Sequence, residues 1–352
     1  MQRETQPLAR KRGSGAGRLA FTRPRSSVPA FRRIREFARL GQVRRAVFPV
    51  SGLDTGFLPA TKAAPKEMLT VVDKPLIHYA VEEAIAAGIR EMIFVTSRHK
   101  RVIEDHFDRA YELEENLAQE QREELLAELR RLFPSDVKYL YVREREHGDM
   151  GTALLCARAL VEDGPFAVIV PDELIDGKTP AIAQLINCFN AMQQPVVGVR
   201  VADGDEPAAE TLRTGAAFCE RTHHVVRFEP VAHPQAGQLI PIGRYVVTPR
   251  IFEFLKRSAA ESGQPNLHAA LRMIASEQSL LACEIEGERF ACGTKLGLLA
   301  ANVHFGLKHP DLARPFGELL RRMQIGVQRQ APRFATAPAT RAEGELLGSP
   351  HG

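Results

Sequence analysis

No stretch of this 352-residue chain approaches eighteen uninterrupted apolar residues, so no segment is suited to span a bilayer as a helix. The N-terminus lacks an apolar segment followed by a small-residue cleavage site, so no secretory signal is expected and a cytoplasmic location is the default reading. Paired cysteines are missing as well. Cys156, Cys188, Cys219, Cys283 and Cys292 are odd in number and scattered, with no C-x-x-C pair and no histidine at zinc spacing. That pattern fits buried thiols in a reducing compartment. There is no internal repeat.

What is present is an ordinary globular composition, 44% hydrophobic and 26% charged, with enough residues for one large or two modest domains. The net charge of +4 hides a division. Residues 1–45 carry thirteen Lys or Arg against two acids, whereas the remainder carries 34 basic and 41 acidic residues. The body is therefore acidic behind a basic head, which does not describe a nucleic-acid-binding domain. Residues 1–42 form an Arg-rich tail, expected to be disordered or at most helical around Phe31–Leu40. That tail is open to three readings: a solvated leader, a polyanion-binding or addressing segment, or a start site placed too far upstream.

From Arg45 the pattern changes. Ala46–Val50 is a short apolar run entering Ser51 and Gly52, as a buried strand enters a turn. Leu76–Ala87 has helical spacing with Gly88 as its C-cap, and Met92–Thr96 reads as a second buried strand. Strand, helix and strand in this order predict a βαβ unit and a parallel sheet. Residues 101–133 read as one long charged helix stopped by Pro134. Strands follow at Val137–Val142, Phe166–Val170, Pro195–Val201 and Ile242–Thr248, with helices at Ala153–Leu160, Arg250–Arg257 and Leu267–Ser276. Beyond Met323 the composition drifts to Ala, Pro, Arg and Gly, so residues 324–352 are expected to fray.

Open parallel sheets bind ligands beyond the C-terminal ends of their strands. Two segments fit. The loop after Val50 carries Ser51, Gly52, Leu53, Asp54, Thr55 and Gly56 and runs on to Pro65, Lys66 and Glu67. Glycine there admits backbone N–H groups to a phosphate and Lys66 adds a mobile cation, although such a loop also serves as a plain tight turn. The second segment is Val170-Pro171-Asp172, where a carboxylate directly follows an apolar strand. Asp172 suits Mg²⁺ shared with substrate phosphates, or equally a helix N-cap.

Read as a longer string, residues 45–75 resemble the opening of bacterial UTP–glucose-1-phosphate uridylyltransferases. The likeness continues through Ile85–Ile89, Glu104–Asp108, Leu154–Ala157, Val170–Asp172, Gly243–Val246 and Cys292–Gly297, and covers residues 43–323. The resemblance implies an α/β, Rossmann-like nucleotidyltransferase fold with a mixed, mostly parallel sheet flanked by helices. It implies the joining of UTP and glucose 1-phosphate to give UDP-glucose and pyrophosphate with Mg²⁺. It also implies a homo-oligomer, or a hetero-oligomer with an active homologue. On this likeness Lys66 is the catalytic phosphate-neutralising lysine, Gly52 and Gly151 belong to the nucleotide site, Gly243 lines the sugar pocket, and Asp172 is the first metal ligand. Lys295 matches a family lysine without an assigned role.

Departures from the family pattern are as informative. The usual Gly-Leu-Gly-Thr-Arg loop reads Gly52-Leu53-Asp54-Thr55-Gly56, so an arginine facing the triphosphate is replaced by Gly56. Val-Glu-Lys-Pro aligns with Arg227-Phe228-Glu229-Pro230, placing Phe228 at the sugar-contacting acid and Glu229 at the phosphate-contacting lysine. A one-residue shift would return Glu229 to the sugar. The second metal aspartate is Ala291, and the uracil-reading glutamine is Glu144. Arg227 and Asp176 are candidate substitutes for the lost lysine and aspartate. These changes predict weak or lost catalysis, or a non-catalytic paralogue that binds nucleotide or sugar nucleotide and modulates an active homologue. An altered sugar, stacked on Phe228, or an altered base, read by Glu144, is a third expectation.

Overall fold

The computed structural model describes residues 41–327, except 54, 133, 146, 147, 162 and 205–208. The expected N-terminal tail, apart from Gly41 and Gln42, lies outside the described residues, as do the helix expected at Phe31–Leu40, the end of the chain beyond Val327, and Asp54. Strands β1 (Arg45–Pro49), β2 (Thr70–Val71) and β3 (Lys74–Pro75) precede helix α1 (Leu76–Ala86). Then come β4 (Glu91–Thr96), α2 (Arg101–Phe107), α3 (Tyr111–Gln119), α4 (Glu123–Leu132) and β5 (Lys138–Arg143). Helix α5 (Met150–Val161), β6 (Phe166–Ile169), β7 (Glu173–Asp176), α6 (Ala181–Met192) and β8 (Val196–Val201) follow. A hairpin of β9 (Ala209–Cys219) and β10 (Thr222–Val231) leads to β11 (Leu239–Val247), α7 (Ile251–Ser262) and α8 (Leu267–Glu277). The described part closes with β12 (Leu281–Glu284), β13 (Glu288–Ala291), α9 (Lys295–Lys308) and α10 (Ala313–Val327).

Nine strands form one sheet in the order β5-β4-β1-β6-β11-β8-β12-β10-β9. β10 and β11 run against the other seven, so the sheet is mixed and mostly parallel, as expected. The alternation of β1 explains why both faces are covered. Val47 points into a core shared with α5, α7 and α8, while Ala46 and Phe48 point into one shared with α1 and α6. All three are fully buried, which is why the strand reads as a continuous apolar run. Gly88 ends α1 as expected: its φ of 88° and its N–H donated to the Ile85 carbonyl close the last turn.

Two expectations need correction. The charged stretch 101–133 is three helices rather than one. Ile103 and Phe107 are buried in the core, but Asp108 is extended and Gln121 is left-handed, so the chain turns twice around that anchor. Helix α10 continues to Val327, past the boundary expected at Met323. Among the described residues no helix is long and apolar enough to cross a membrane.

Candidate active site

The chain visits β1, then β4 and β5 on one side, and returns to β6 on the other side of β1. That reversal makes the gap between β1 and β6 the topological switch point, where loops diverge and leave a crevice. β1 and β6 are parallel and adjacent, with Val47 opposite Val168, so the segments beginning at Val50 and Val170 leave the sheet side by side. A cleft of about 330 Å³ opens there. Ser51, Gly52 and Leu53 line it from the first loop, Pro171 and Asp172 from the second, and Gly148, Asp149 and Met150 from the start of α5.

Lys66 and Asp172 meet inside the cleft, Nζ to Oδ2 at 2.8 Å. Their side chains are only partly exposed, at 26% and 15%, so each charge is held by the other in a poorly hydrated wall. Residues 106 positions apart in sequence thus form one ion pair. Gly52 faces open space, and a side chain there would project into the cleft mouth. Three of the five expected site residues therefore come together: Gly52, Lys66 and Asp172.

The other two act from behind the lining. Gly151 is buried, and a Cβ on it would stand 2.4 Å from the Pro265 carbonyl oxygen. Its absence lets α5 lie against the loop entering α8. Its N–H, with that of Thr152, is donated to Asp149 Oδ1 at 2.8 and 3.3 Å, while Asp149 Oδ2 accepts from Asn266 Nδ2 at 2.7 Å. Asp149 is therefore the N-cap of α5 and fixes the glycine-bearing turn. Gly243 has φ +69°, and a Cβ would stand 2.8 Å from that of Val170. Glycine is required on both counts, and the Gly243 carbonyl accepts from Val170 N at 2.9 Å.

Sequence reasoning missed the groups that fasten these loops. Arg244 is fully buried; Nη1 donates to the Val170 carbonyl at 2.8 Å and Nη2 to the Glu173 carbonyl at 2.6 Å. It thereby holds the backbone on both sides of Asp172. Glu83 neutralises it, with Oε2 2.8 Å from Nη2, and also accepts from Ile182 N at 2.8 Å. Glu67, next to Lys66, is gripped by buried Lys100 at 2.7 and 2.8 Å. Burial pushes the Glu67 carboxyl up and Lys100 opposes that rise. A partner 161 residues away gives no local signal, although Gly243-Arg244-Tyr245 stands inside the string that carries the resemblance.

The altered positions also find their places. Gly56 is exposed on the loop after β1. Ala291 stands opposite Glu173 in the β13–β7 register, and a Cβ on nearby Gly293 would lie 2.9 Å from Asp172 Oδ2. The 291–293 turn thus sits beside Asp172. Asp176 does not replace it. That carboxylate is taken by His304 at 2.6 Å and Lys308 at 2.5 Å, which hold it below the usual carboxylate range against the opposing effect of burial. Phe228 is buried in the core with Leu212 and Val225, so it is not available to stack on a sugar. Glu229 is not a bare acid: Arg227 binds it directly and Arg213 Nε lies 3.3 Å away. Arg227 is consequently committed to Glu229. Lys295 is exposed at the first turn of α9, behind its N-cap Thr294.

Of the described carboxylates that line the cleft, Glu67 is held by Lys100 and Asp149 caps α5, which leaves Asp172 for Mg²⁺. Among the described residues no group of three or more His, Cys, Asp or Glu could hold a metal. That donor set fits Mg²⁺ only when substrate phosphates supply most of the oxygens, the usual arrangement for this ion.

Comparison with known proteins gives a consistent result. The sequence profile of the nucleotidyl transferase family matches residues 50–294. UTP–glucose-1-phosphate uridylyltransferase 1 of Staphylococcus saprophyticus is 37% identical over 290 residues, 80% of this chain and 98% of that protein. The Bacillus subtilis UTP–glucose-1-phosphate uridylyltransferase is 36% identical over 275 residues, 77% of this chain and 94% of that protein. Among solved structures, UDP-glucose pyrophosphorylase from Acinetobacter baumannii superposes with a TM-score of 0.73 at 34% identity, covering 80% of this chain and all of that one. A UDP-glucose pyrophosphorylase complexed with UDP-glucose gives 0.67 at 33% identity, covering 76% and 100%. With a β1/β6 cleft holding a lysine and an aspartate, and relatives matched along nearly their whole length, the chain belongs to the nucleotidyl transferase family, in its UTP–glucose-1-phosphate uridylyltransferase branch.

Proposed function

We propose that the cleft binds a nucleoside triphosphate and a sugar 1-phosphate, UTP and glucose 1-phosphate by kinship, and joins them with release of pyrophosphate far more slowly than intact relatives do. The Lys66–Asp172 pair carries this reading, being a cation and a carboxylate at the switch point beside Gly52. On substrate entry the phosphates take over Lys66 Nζ, and the freed Asp172 carboxylate would hold Mg²⁺ together with phosphate oxygens. The ion would neutralise charge on the reacting phosphates. The sugar phosphate attacks the α-phosphorus in line and pyrophosphate leaves, so rate comes from positioning and charge neutralisation. Gly56 and Ala291 remove one cation and one metal ligand from that machinery. Each such loss typically costs about 10²–10³ in rate.

The test is pyrophosphate release at high enzyme concentration, beside calorimetric titration of the nucleotide with Mg²⁺. Slow turnover is expected, with nucleotide affinity falling at least about tenfold in Lys66→Ala and Mg²⁺ dependence lost in Asp172→Ala. Binding unaffected by both changes would remove the site from this cleft.

A second reading, a non-turning-over subunit that modulates an active homologue, draws on an apolar stripe along α9. Leu296, Leu299, Val303 and Leu307 are 78%, 64%, 39% and 43% exposed at helical spacing. Co-purification with an active relative, and a change in that relative's rate, would support it. A cytoplasmic location fits either reading, because that is where nucleotide sugars are made.

A further inference from the structure

Scattered in the sequence, three of the five cysteines meet in the fold. Cys219 ends β9, Thr222 opens β10, and the two are paired in the antiparallel register. On its other side Thr222 is paired with Cys283 of β12. Residues paired directly across strands project to the same face of a sheet, so Cys219, Thr222 and Cys283 stand in a row over three strands. Helix α6 covers that face. Cys283 belongs to the core between helix and sheet, and Cys188 of α6 packs against it. Cys188 Sγ lies 3.8 Å from the Thr222 hydroxyl, and the Cys188 and Cys283 thiols are hydrogen-bonded to each other. The remaining two, Cys156 on α5 and Cys292 beside β13, belong to other parts of the molecule.

A pair of touching thiols has chemistry that a single buried thiol lacks, because one sulfur can resolve what happens to the other. The two are also unequal. Cys188 is half-buried, whereas Cys283 is 7% exposed. The hydrogen bond from Cys283 pushes the Cys188 thiol down to about 7, against burial and with help from Thr222. The same hydrogen bond, and burial after it, push the Cys283 thiol up. Cys188 therefore carries the thiolate, which is the nucleophilic form, on the more accessible side of the pair. None of these residues lines the β1/β6 cleft.

We propose that Cys188 and Cys283 are a redox modification site, closing to a reversible disulfide when hydrogen peroxide reaches α6. The Cys188 sulfur attacks one peroxide oxygen and the O–O bond breaks. Cys188 becomes a sulfenic acid, and the departing hydroxide takes up the proton that Cys188 had released, leaving as water. The Cys283 sulfur then attacks the Cys188 sulfur. The S–O bond breaks, and hydroxide leaves with the Cys283 proton as a second water. The two thiols lose two electrons in all and the peroxide gains them. The new bond ties α6 to β12 between residues 95 positions apart, and thiol–disulfide exchange with a small dithiol reopens it.

Brief treatment of the full chain with hydrogen peroxide, then alkylation under denaturing conditions and peptide mapping by mass spectrometry, tests the assignment. In the wild type two of the five thiols should escape alkylation, the map should join Cys188 to Cys283, and dithiothreitol should restore all five. Cys219→Ser should give the same link, since the exposed thiol takes no part. In Cys188→Ser the Cys283 thiol should stay open to alkylation, because the sulfur that attacks peroxide is gone. The wild-type map stands by itself should either variant fail to fold. A Cys283 that remains fully alkylated in treated wild type overturns the proposal. So does a link from Cys188 to Cys219, or loss of the Cys283 thiol at an unchanged pace in Cys188→Ser.

Discussion

Lys66 and Asp172 form a closed ion pair at 2.8 Å, which under the proposed function a substrate opens. Because both side chains keep some solvent contact, the pair contributes about 1 kcal/mol or less to stability; under the proposed function its work is to pre-place a cation and an anion for phosphate and metal. Arg244 is the opposite case. It is fully buried, and its guanidinium serves two carbonyls and Glu83 at once. Replacing it by methionine strands the Glu83 charge, which typically costs 3–5 kcal/mol. Arg244→Met should therefore lower the urea midpoint sharply, and Arg244→Met combined with Glu83→Leu should recover part of the loss. An Arg244→Met midpoint equal to wild type would show that the network is not built as described. The legibility of these residues in the sequence differed. Asp172 directly follows an apolar strand and Lys66 lies in the loop after another, a placement that obeys a rule about strand ends. Arg244 reads as an ordinary charged residue until its partner, far off in the chain, is brought to it.

At the scale of elements, the packing of α1 against α2 brings two histidines together. His78 Nδ1 and His106 Nε2 lie 3.0 Å apart, and the His78 ring stacks near Phe107. Burial, with the neighbouring imidazole second, pushes His106 down to about 4. In the unfolded chain this group takes up its proton near its ordinary value of 6.5. Between those values the unfolded state binds more protons, so stability rises with pH through this window and is lost as pH falls from about 6.5 to 4. The melting temperature should fall over that interval, and His106→Gln should flatten the slope. A wild-type profile flat between pH 4 and 6.5 would contradict the burial of this pair. Element type was legible where periodicity was strong: β1, α1, β4 and β6 stand within a few residues of their expected bounds. The β9–β10 hairpin was not, because its edge position leaves one face polar and its alternation is broken by bulges. The 101–133 helix was overextended because charge at helical spacing continues across Asp108 and Gln121, where the backbone turns away.

For the whole molecule, the electrostatic balance of one cleft decides what the fold can do. Family membership and the mixed sheet were readable from the string around residues 45–75, since strand, glycine loop and lysine occur there in one order. The consequences of its departures were readable only in part. Glu229 seemed a reversed charge in the sequence, yet Arg213 and Arg227 both pair with it. Phe228 seemed a new sugar contact, yet it belongs to the core. The lysine replaced by Glu229 stays lost, since Arg227 is spent on that carboxylate, as do the cation at Gly56 and the metal ligand at Ala291; the latter two lie outside that ion pair. Restoring both in Gly56→Arg/Ala291→Asp, and measuring pyrophosphate release at saturating UTP and glucose 1-phosphate, tests the phosphate chemistry directly. The double variant should exceed the wild type by about a thousandfold. A wild-type rate unchanged by the restoration, or already equal to that of the intact uridylyltransferases, would contradict the account.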